Sequence, residues 1–520
     1  MSGFVAGFST GPTVPGETRR AEGTGHQHRK QVEGMFQAIR HRGPWISGIW
    51  EQDGAVLAQN YLRADTRNAP KDTQVPLSDV RGARICYDGQ IGNVESLAVA
   101  ESVPPGPFLE ERTLLALYRH HGPDMLTYLD DAIFAFVINH GDRWFAARDL
   151  LGIKTLFHGK KDGVRYLASE LKSLAPGIEE VYEFAPGHFM DESGALTRYD
   201  ELPSSPPGPL ESDPDRMVRK IRELILNSVR GRVDFSVPTA GLLSGGMDSS
   251  VVNALAAWRL RELKGPEARL KTFSIGVGES EDIKNARIVA EHLDTEHEEL
   301  IVGVEDLAAV LPEVIYYLES FDPSLVRSSA SNFLITRYAR NRGYEVLLSG
   351  EGGDEVFCGY LYLKQFPQEE LFRRQMECID FLHNNASLRL DRMNQAHSMR
   401  VITPLISGTL LRYAMNIPAE YKQRVEGDAT VEKWIFRKAY EHILPQVITS
   451  RIKQEFSQGS GSADALASYF EDRISDRELE EAQREFSIIR SKEELYYFRR
   501  FTERFGRGKA VDTVGQWVSL

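Results

Sequence analysis

The chain has 520 residues, more than a single hydrophobic core accommodates, so two domains are expected. Hydrophobic and charged fractions of 42% and 26% are those of a globular protein, while 62 basic against 75 acidic residues leave a net charge of −13, which excludes general affinity for nucleic acid or anionic membranes. Three widely spaced cysteines, Cys86, Cys358 and Cys378, make neither a disulfide framework nor a zinc site, and no apolar stretch reaches membrane-spanning length.

The opening MSGFVAGFST lacks the basic start and long apolar core of a secretory signal, so a cytoplasmic location is expected. Strand-type runs follow at FVAGF (4–8), AVLAQNYL (55–62), ARICYDG (83–89), AIFAFVIN (132–139) and RWFAAR (143–148). Two helical segments interrupt them, QVEGMFQAI (31–39) and EERTLLALYRHHG (110–122). Many strands with few helices predict a layered α+β domain. The Gly/Thr/Pro-rich stretch 9–30 reads as a loop, and its His26 and His28 lack a third ligand nearby, so no metal is expected there.

ELPSSPPGPLESDPD (201–215) carries five prolines among acids and serines and reads as a linker, which divides the chain into domains 1–205 and 206–520. Beyond it the rhythm changes. SVPTAGLLS (236–244) leads into the helical SSVVNALAAWRLREL (249–263), followed by KTFSIGVG (271–278), DIKNARIVAEHL (282–293) and YEVLLSGEGGDE (344–355). Buried-type strands alternating with helices predict a parallel, doubly wound sheet, with ligands beyond the carboxyl ends of its strands. Residues 360–520 are mostly helical in pattern.

In GLLSGGMDSS (241–250), Ser244, Gly245 and Gly246 lie where a strand turns into a helix. Such a turn lets backbone N–H groups approach an anion, and Ser249 and Ser250 add hydroxyl donors. No Walker-type Lys is present. Asp248 would repel a phosphate unless a cation lay between them, so Mg²⁺ is implied. Gly-Gly turns also serve helix packing, and one alone says little. The second segment, Ser349-Gly350-Glu351-Gly352-Gly353-Asp354-Glu355, ends another apolar run and brings three more acids. Two acid-bearing Gly turns at neighbouring strand ends point to a nucleotide–metal site.

LLSGGMDSS resembles the PP-loop of ATP pyrophosphatases, and SGEGGDEVFCGY (349–360) resembles the matching segment of glutamine-dependent asparagine synthetases. HRGP (41–44), ARDLLGIKTLF (147–157), ASELKSL (168–174), APGH (185–188), FSIGV (273–277) and KQEFSQGSG (453–461) extend the resemblance over most of the chain. The superfamily also contains β-lactam synthetases and lasso-peptide cyclases. The resemblance implies an α+β Ntn-type sandwich domain followed by an α/β PP-loop ATP pyrophosphatase domain, a doubly wound parallel sheet with a helical C-terminal part. It implies a substrate carboxylate attacking the α-phosphate of ATP, with the loop holding the departing pyrophosphate and Mg²⁺ held by Asp248 and Asp354. Lys453 is implied to stabilise pyrophosphate or a later oxyanion, and Glu351 to orient or deprotonate the amine. Ser274 and Ile275 of FSIGV, with Gly350 and Gly352, are implied at the nucleotide, and Ser324 and Arg327 in DPSLVRSS at the acid substrate. It also offers homodimerisation as the assembly state.

The N-terminal domain departs from the family pattern. The nucleophilic Cys position holds Ser2, and a hydroxyl needs a placed base where a thiol ionises readily. The glutamine-clamping Arg falls on Tyr61, with Arg63 two residues on and hence on the same strand face as a substitute. The Asn of the oxyanion hole falls on Asp88, a carboxylate that repels a developing oxyanion, and the amine-binding Asp falls on Glu110. These changes predict loss of glutamine hydrolysis, with the domain kept as scaffold. NQAH (394–397) and MRVITPLIS (399–407) also differ from the family's acyl-site segments and suggest an acid other than aspartate. The expectation is an ATP-dependent amide synthetase that joins a small carboxylic acid to ammonia or an amine, without nucleic-acid or membrane partners. Asparagine synthesis from aspartate and a non-catalytic nucleotide-binding protein are the alternatives.

Overall fold

A computed structural model describes residues 2–9, 22–66 and 69–517. Strand Arg84–Ile91 shows how its first half is built: Ile85 and Tyr87 pack on one face, Cys86 on the other, and all three are buried. Two six-stranded antiparallel sheets result. One runs in the order Val181–Glu183, Phe157–Lys161, Val164–Ala168, Ser2–Ser9, Ala55–Tyr61, Ile46–Gln52. The other runs Leu196–Arg198, His188–Asp191, Arg143–Arg148, Ala132–His140, Arg84–Ile91, Leu77–Ser78. Phe4, Ala6 and Phe8 of the first sheet meet Cys86, Ala135, Val137 and Trp144 of the second, with the Phe8 and Trp144 rings stacked at 4.7 Å. The second sheet's other face, Ile85, Phe134, Phe136 and Ile138, is covered by Leu114, Leu115 and Leu117 of helix Leu109–His121. This is the expected α+β sandwich.

Local differences have physical reasons. Helix Glu22–Gln37 begins inside the stretch read as a loop, because Val32, Met35 and Phe36 bury themselves whatever the Gly and His content before them. Residues 10–21 of that stretch and the side chain of His26 lie outside the described residues. His28 is buried edge-on to Tyr166. Strand Ala55–Tyr61 ends at Tyr61, so Arg63 does not share its face; it sits in a 3-10 turn beside the Trp45 ring.

The chain divides into two compact units, residues up to Glu201 together with Phe501–Val514, and Leu202–Arg500 together with the residues from Gly515 on. Pro-rich 201–213 forms no regular element. Helix Pro214–Arg232 then starts inside the predicted linker, with proline at its first position and Asp213 accepting the Asp215 N–H at 2.9 Å.

In the second unit, five strands form one parallel sheet in the order Glu296–Val302, Lys271–Val277, Thr239–Leu242, Val346–Leu348, Arg400–Ile402. Edge strand Glu296–Val302 was not apparent in the sequence because EHEELIV is only half-buried and shows no clean apolar period. The C-terminal part is mostly helical, as read, with an added hairpin, Gln423–Glu426 and Ala429–Glu432.

Candidate active site

Strands Thr239–Leu242 and Val346–Leu348 are paired neighbours, and chain order reverses between them: earlier crossovers build outward on one side and the last on the other. A crevice forms at such a switch point beyond the carboxyl ends of the strands. Both Gly-rich segments emerge there. Gly245 takes φ +68°, and a Cβ on it would lie 2.3 Å from the Asn285 carbonyl carbon. A Cβ on Gly350 would lie 2.4 Å from the Ser249 nitrogen, so the two loops touch backbone to backbone only because this residue has no side chain.

The cavity here is lined by Ser244, Gly246, Asp248 and Ser249 from the first loop, Gly350, Glu351 and Asp354 from the second, and Ser274 and Ile275 from strand Lys271–Val277 on the other edge of Thr239–Leu242. Lys453 lines it as well. Of the residues expected at the nucleotide, metal and acid substrate, five lie outside this lining. Gly245 and Gly352 shape the loops from behind, and Ser250 is buried with its hydroxyl donating to the Gly246 carbonyl at 2.7 Å. Ser324 and Arg327 are not in the lining, and Arg327 is held by the Glu493 carboxylate, with Nε 3.0 Å from both oxygens.

Charge organises the floor. Lys433 Nζ lies 2.5 Å from Asp248 Oδ2 and 2.7 Å from Asp354 Oδ1, while Lys453 Nζ lies 2.5 Å from Asp354 Oδ2. Burial alone would raise the Asp354 carboxyl, but Lys433 and Lys453 outweigh it and hold the group down to about 2. Burial likewise opposes the Lys453 ammonium, and Asp354 with Asp248 pushes its pKa above the usual lysine value. Glu355, buried beside Asp354, is pushed up to about 7 by burial and then by that neighbouring charge. Glu432, buried behind the site, accepts the Lys453 N–H at 3.0 Å and pairs with Arg437 at 2.5 Å, fixing both lysine-bearing segments. Arg451 donates to the Ser244 carbonyl at 3.3 Å and to Asp282 at 2.8 Å.

Lys433 was missed in the sequence. It sits in VEKWIF with no motif around it, and a non-glycine φ of 54° after the hairpin turns its side chain inward. No residue pattern announces that.

A divalent cation fits these residues. Asp248 Oδ1 is buried with no hydrogen-bond partner, and its carboxylate converges with that of Asp354 on a single ammonium. No cluster of three or more His, Cys, Asp or Glu side chains suited to a metal exists among the described residues. Mg²⁺ is commonly held by one or two carboxylates with phosphate oxygens completing its shell.

In the first unit, Ser2 is buried, and its hydroxyl donates to the Tyr87 carbonyl. Its N–H donates to Asp88 Oδ1 at 3.0 Å. Asp88 is fully buried and paired with Arg42 at 2.8 Å and Lys154 at 3.3 Å. Arg42 continues to Glu170 at 2.7 Å, and Glu170 to Lys172 at 2.5 Å. Tyr61 is buried edge-on to Phe108, and Glu110 accepts from the Tyr87 hydroxyl at 2.8 Å and the Ile91 N–H at 3.0 Å.

The Asparagine synthase family matches residues 220–377 and 364–510, and the Glutamine amidotransferase domain matches residues 19–193. A probable asparagine synthetase [glutamine-hydrolyzing] of Schizosaccharomyces pombe is 33% identical over 527 residues, covering 93% of this chain and 92% of its own length. An asparagine synthetase [glutamine-hydrolyzing] of Zea mays is 32% identical over 94% of this chain and 85% of its own. A probable asparagine synthetase [glutamine-hydrolyzing] of Dictyostelium discoideum is 31% identical over 94% and 93%. Two stacked antiparallel sheets followed by a parallel-sheet nucleotide-type crevice define an amidotransferase-like synthetase, and the chain belongs to the asparagine synthase family. No helix among the described residues is long and apolar enough to cross a membrane.

Proposed function

We propose that this chain adenylates a small carboxylic acid at the 206–520 half and joins the acyl group to ammonia or an amine, without hydrolysing glutamine at the 1–205 half. As a member of its family it is an ATP-dependent carbon–nitrogen ligase that uses Mg²⁺. The observation that carries the reading is the convergence of Asp248, Asp354, Lys433 and Lys453 at the switch point.

The substrate carboxylate oxygen attacks the α-phosphorus, the bond to the β-phosphate breaks, and pyrophosphate leaves. Ser244, Gly246 and Ser249 offer donors to that leaving group, with Gly245 and Ser250 holding the loop in shape. Lys453 and Lys433 supply positive charge where negative charge accumulates. Asp248 and Asp354 would hold Mg²⁺, which would neutralise phosphate charge there. Ser274 and Ile275 lie where the first strand has ended: its pairing with the second stops at Leu242 and Phe273, so the backbone edge beyond is open to adenine. In the second step the amine nitrogen attacks the acyl carbon, AMP departs, and Glu351 takes the amine proton.

Support for loss of glutamine hydrolysis is that Ser2 is hydrogen-bonded to Asp88, which belongs to a buried ion-pair network, and that Tyr61, buried against Phe108, stands where the resemblance expects the clamping Arg. Acid-dependent exchange of labelled pyrophosphate into ATP, with no glutamate released from glutamine, is the expected result. Absence of exchange across a broad acid panel would overturn the synthetase reading. Glutamate release that is lost in Ser2→Ala would overturn the other part. Aspartate with ammonia as the best pair would instead assign asparagine synthesis.

A further inference from the structure

Asp354 stands on helix Gly353–Phe357, a single turn of five residues with left-handed backbone on both flanks, Gly352 at φ 97° and Cys358 at φ 55°. A helix this short has too few internal hydrogen bonds to keep its own direction, so its neighbours fix where the Asp354 carboxylate points. On one side Gln375 donates to the carbonyls of Glu355 and Val356, at 3.1 and 2.6 Å. On another, the buried Tyr360 hydroxyl donates to Glu355 Oε1 at 2.6 Å.

Tyr360 is held in turn by a residue far along the chain. The Trp517 ring centroid lies 5.6 Å from that of Tyr360 and 5.2 Å from that of Phe381, and Trp517 is only 6% exposed. Its backbone is seated at both ends: the N–H donates to Asp322 Oδ2 at 3.0 Å, and the carbonyl accepts from Arg490 Nη1 at 2.9 Å. Gln516 before it donates to the Ile488 carbonyl at 2.9 Å and to Glu494 at 3.1 Å. Residues 514–517 belong to no helix or strand, so these contacts set the place of the indole. The reaction described above uses neither Trp517 nor Tyr360.

Resting on the reading of Asp354 as a cation ligand, we infer that Trp517 and Tyr360 are positioning residues for that carboxylate. The indole fixes the Tyr360 ring, the Tyr360 hydroxyl fixes Glu355, and the turn so braced holds Asp354 where it shares Lys433 with Asp248. Loss of either brace loosens the turn without removing a group that touches ATP or the acid. Partners that hold a metal-binding carboxylate from behind are worth roughly 10–100-fold in metal affinity.

The test titrates Mn²⁺, a paramagnetic stand-in for Mg²⁺, into the full chain with α,β-methylene ATP, which cannot release pyrophosphate, and follows free Mn²⁺ by electron paramagnetic resonance. Tyr360→Phe keeps the ring and its packing and loses only the hydroxyl. Its half-saturating Mn²⁺ concentration is expected to rise about 10-fold, with Tm and the acid KM in pyrophosphate exchange little changed. Trp517→Ala is expected to give a similar rise, and Trp517→Phe, which keeps a ring against Tyr360, to recover most of it. An unchanged titration in Tyr360→Phe overturns the inference, whether or not Trp517→Ala folds. A wild-type titration in Trp517→Ala overturns the part assigned to Trp517. An acid KM that rises as much as the Mn²⁺ requirement overturns it as well, since general loosening of the site moves both. No Mn²⁺ bound by the wild type overturns the cation reading itself.

Discussion

Lys433 and Lys453 touch the same carboxylate but differ in surroundings. The Lys433 side chain is 1% exposed and bridges buried Asp354 and half-buried Asp248, whereas that of Lys453 is 20% exposed. Removing Lys433 leaves Asp354 with Lys453 alone and Asp248 without its cation, a loss on the order of 3 kcal/mol. Lys433→Met is therefore expected to lower both Tm and exchange activity. Lys453→Met is expected to lose activity, by roughly 100-fold, while its Tm moves little. A calorimetric scan of the two variants beside the wild type checks the contrast; equal shifts in Tm would refute it.

A second residue-scale effect lies in the first unit. Glu111 is buried beside Tyr61, and burial, then the Glu110 charge, push its carboxyl from 4.5 up to about 8. Its folded pKa is above the unfolded value, so the neutral form is favoured on folding. The associated stability is complete below pH 4.5 and is lost as pH rises through about 8. Glu111→Gln, which keeps a neutral side chain at every pH, is expected to match the wild type near the acid end and to melt higher at pH 9. Parallel Tm-versus-pH curves would contradict this.

At the scale of elements, the site depends on two strand-end loops meeting without side chains between them. A Cβ at Gly350 would lie 2.4 Å from the Ser249 nitrogen and 2.6 Å from the Asp248 carbonyl carbon. Neither partner is a flexible side-chain tip, so one loop must move. Gly350→Ala is expected to cost about 2 kcal/mol and to cut exchange more than 10-fold, since a shift of under 1 Å misplaces Asp248 relative to Asp354. Chemical denaturation and initial rates on one preparation decide it. The start of helix Pro214–Arg232 gives a milder test: Asp213→Ala removes its N-cap and is expected to cost about 1 kcal/mol with activity retained.

At the scale of the whole molecule, the chain has a family's full architecture, and the proposed reading is that only one of its two chemical sites works. On that reading, Ser2→Cys is expected to release no glutamate from glutamine, because the buried Asp88 and Tyr61 stand at the positions where the resemblance expects the oxyanion-hole Asn and the clamping Arg. A coupled glutamate assay measures this directly, and release at a rate comparable with pyrophosphate exchange would show that Ser2 was the only defect.

Much was legible in the chain read as letters. Apolar runs such as RWFAAR and AIFAFVIN marked the sandwich strands, because a strand buried on both faces carries its burial in its own composition. The two acid-bearing Gly turns marked the crevice, since only glycine allows such turns and an acid beside phosphate implies a cation. Strand Glu296–Val302 was not legible, being an edge whose burial depends on its neighbour. Lys433 and Trp517 were not legible either: each lies far along the chain from the groups it meets, and their places arise from a hairpin and from a segment seated by distant side chains. The sequence by itself determined the two kinds of layer, the Gly turns and the family, because these follow from local pattern and short spacing. Only the tertiary structure decided which charges converge, that Arg327 is bound to Glu493 and that Trp517 packs on Tyr360, because a side chain's partner is set by packing between distant segments.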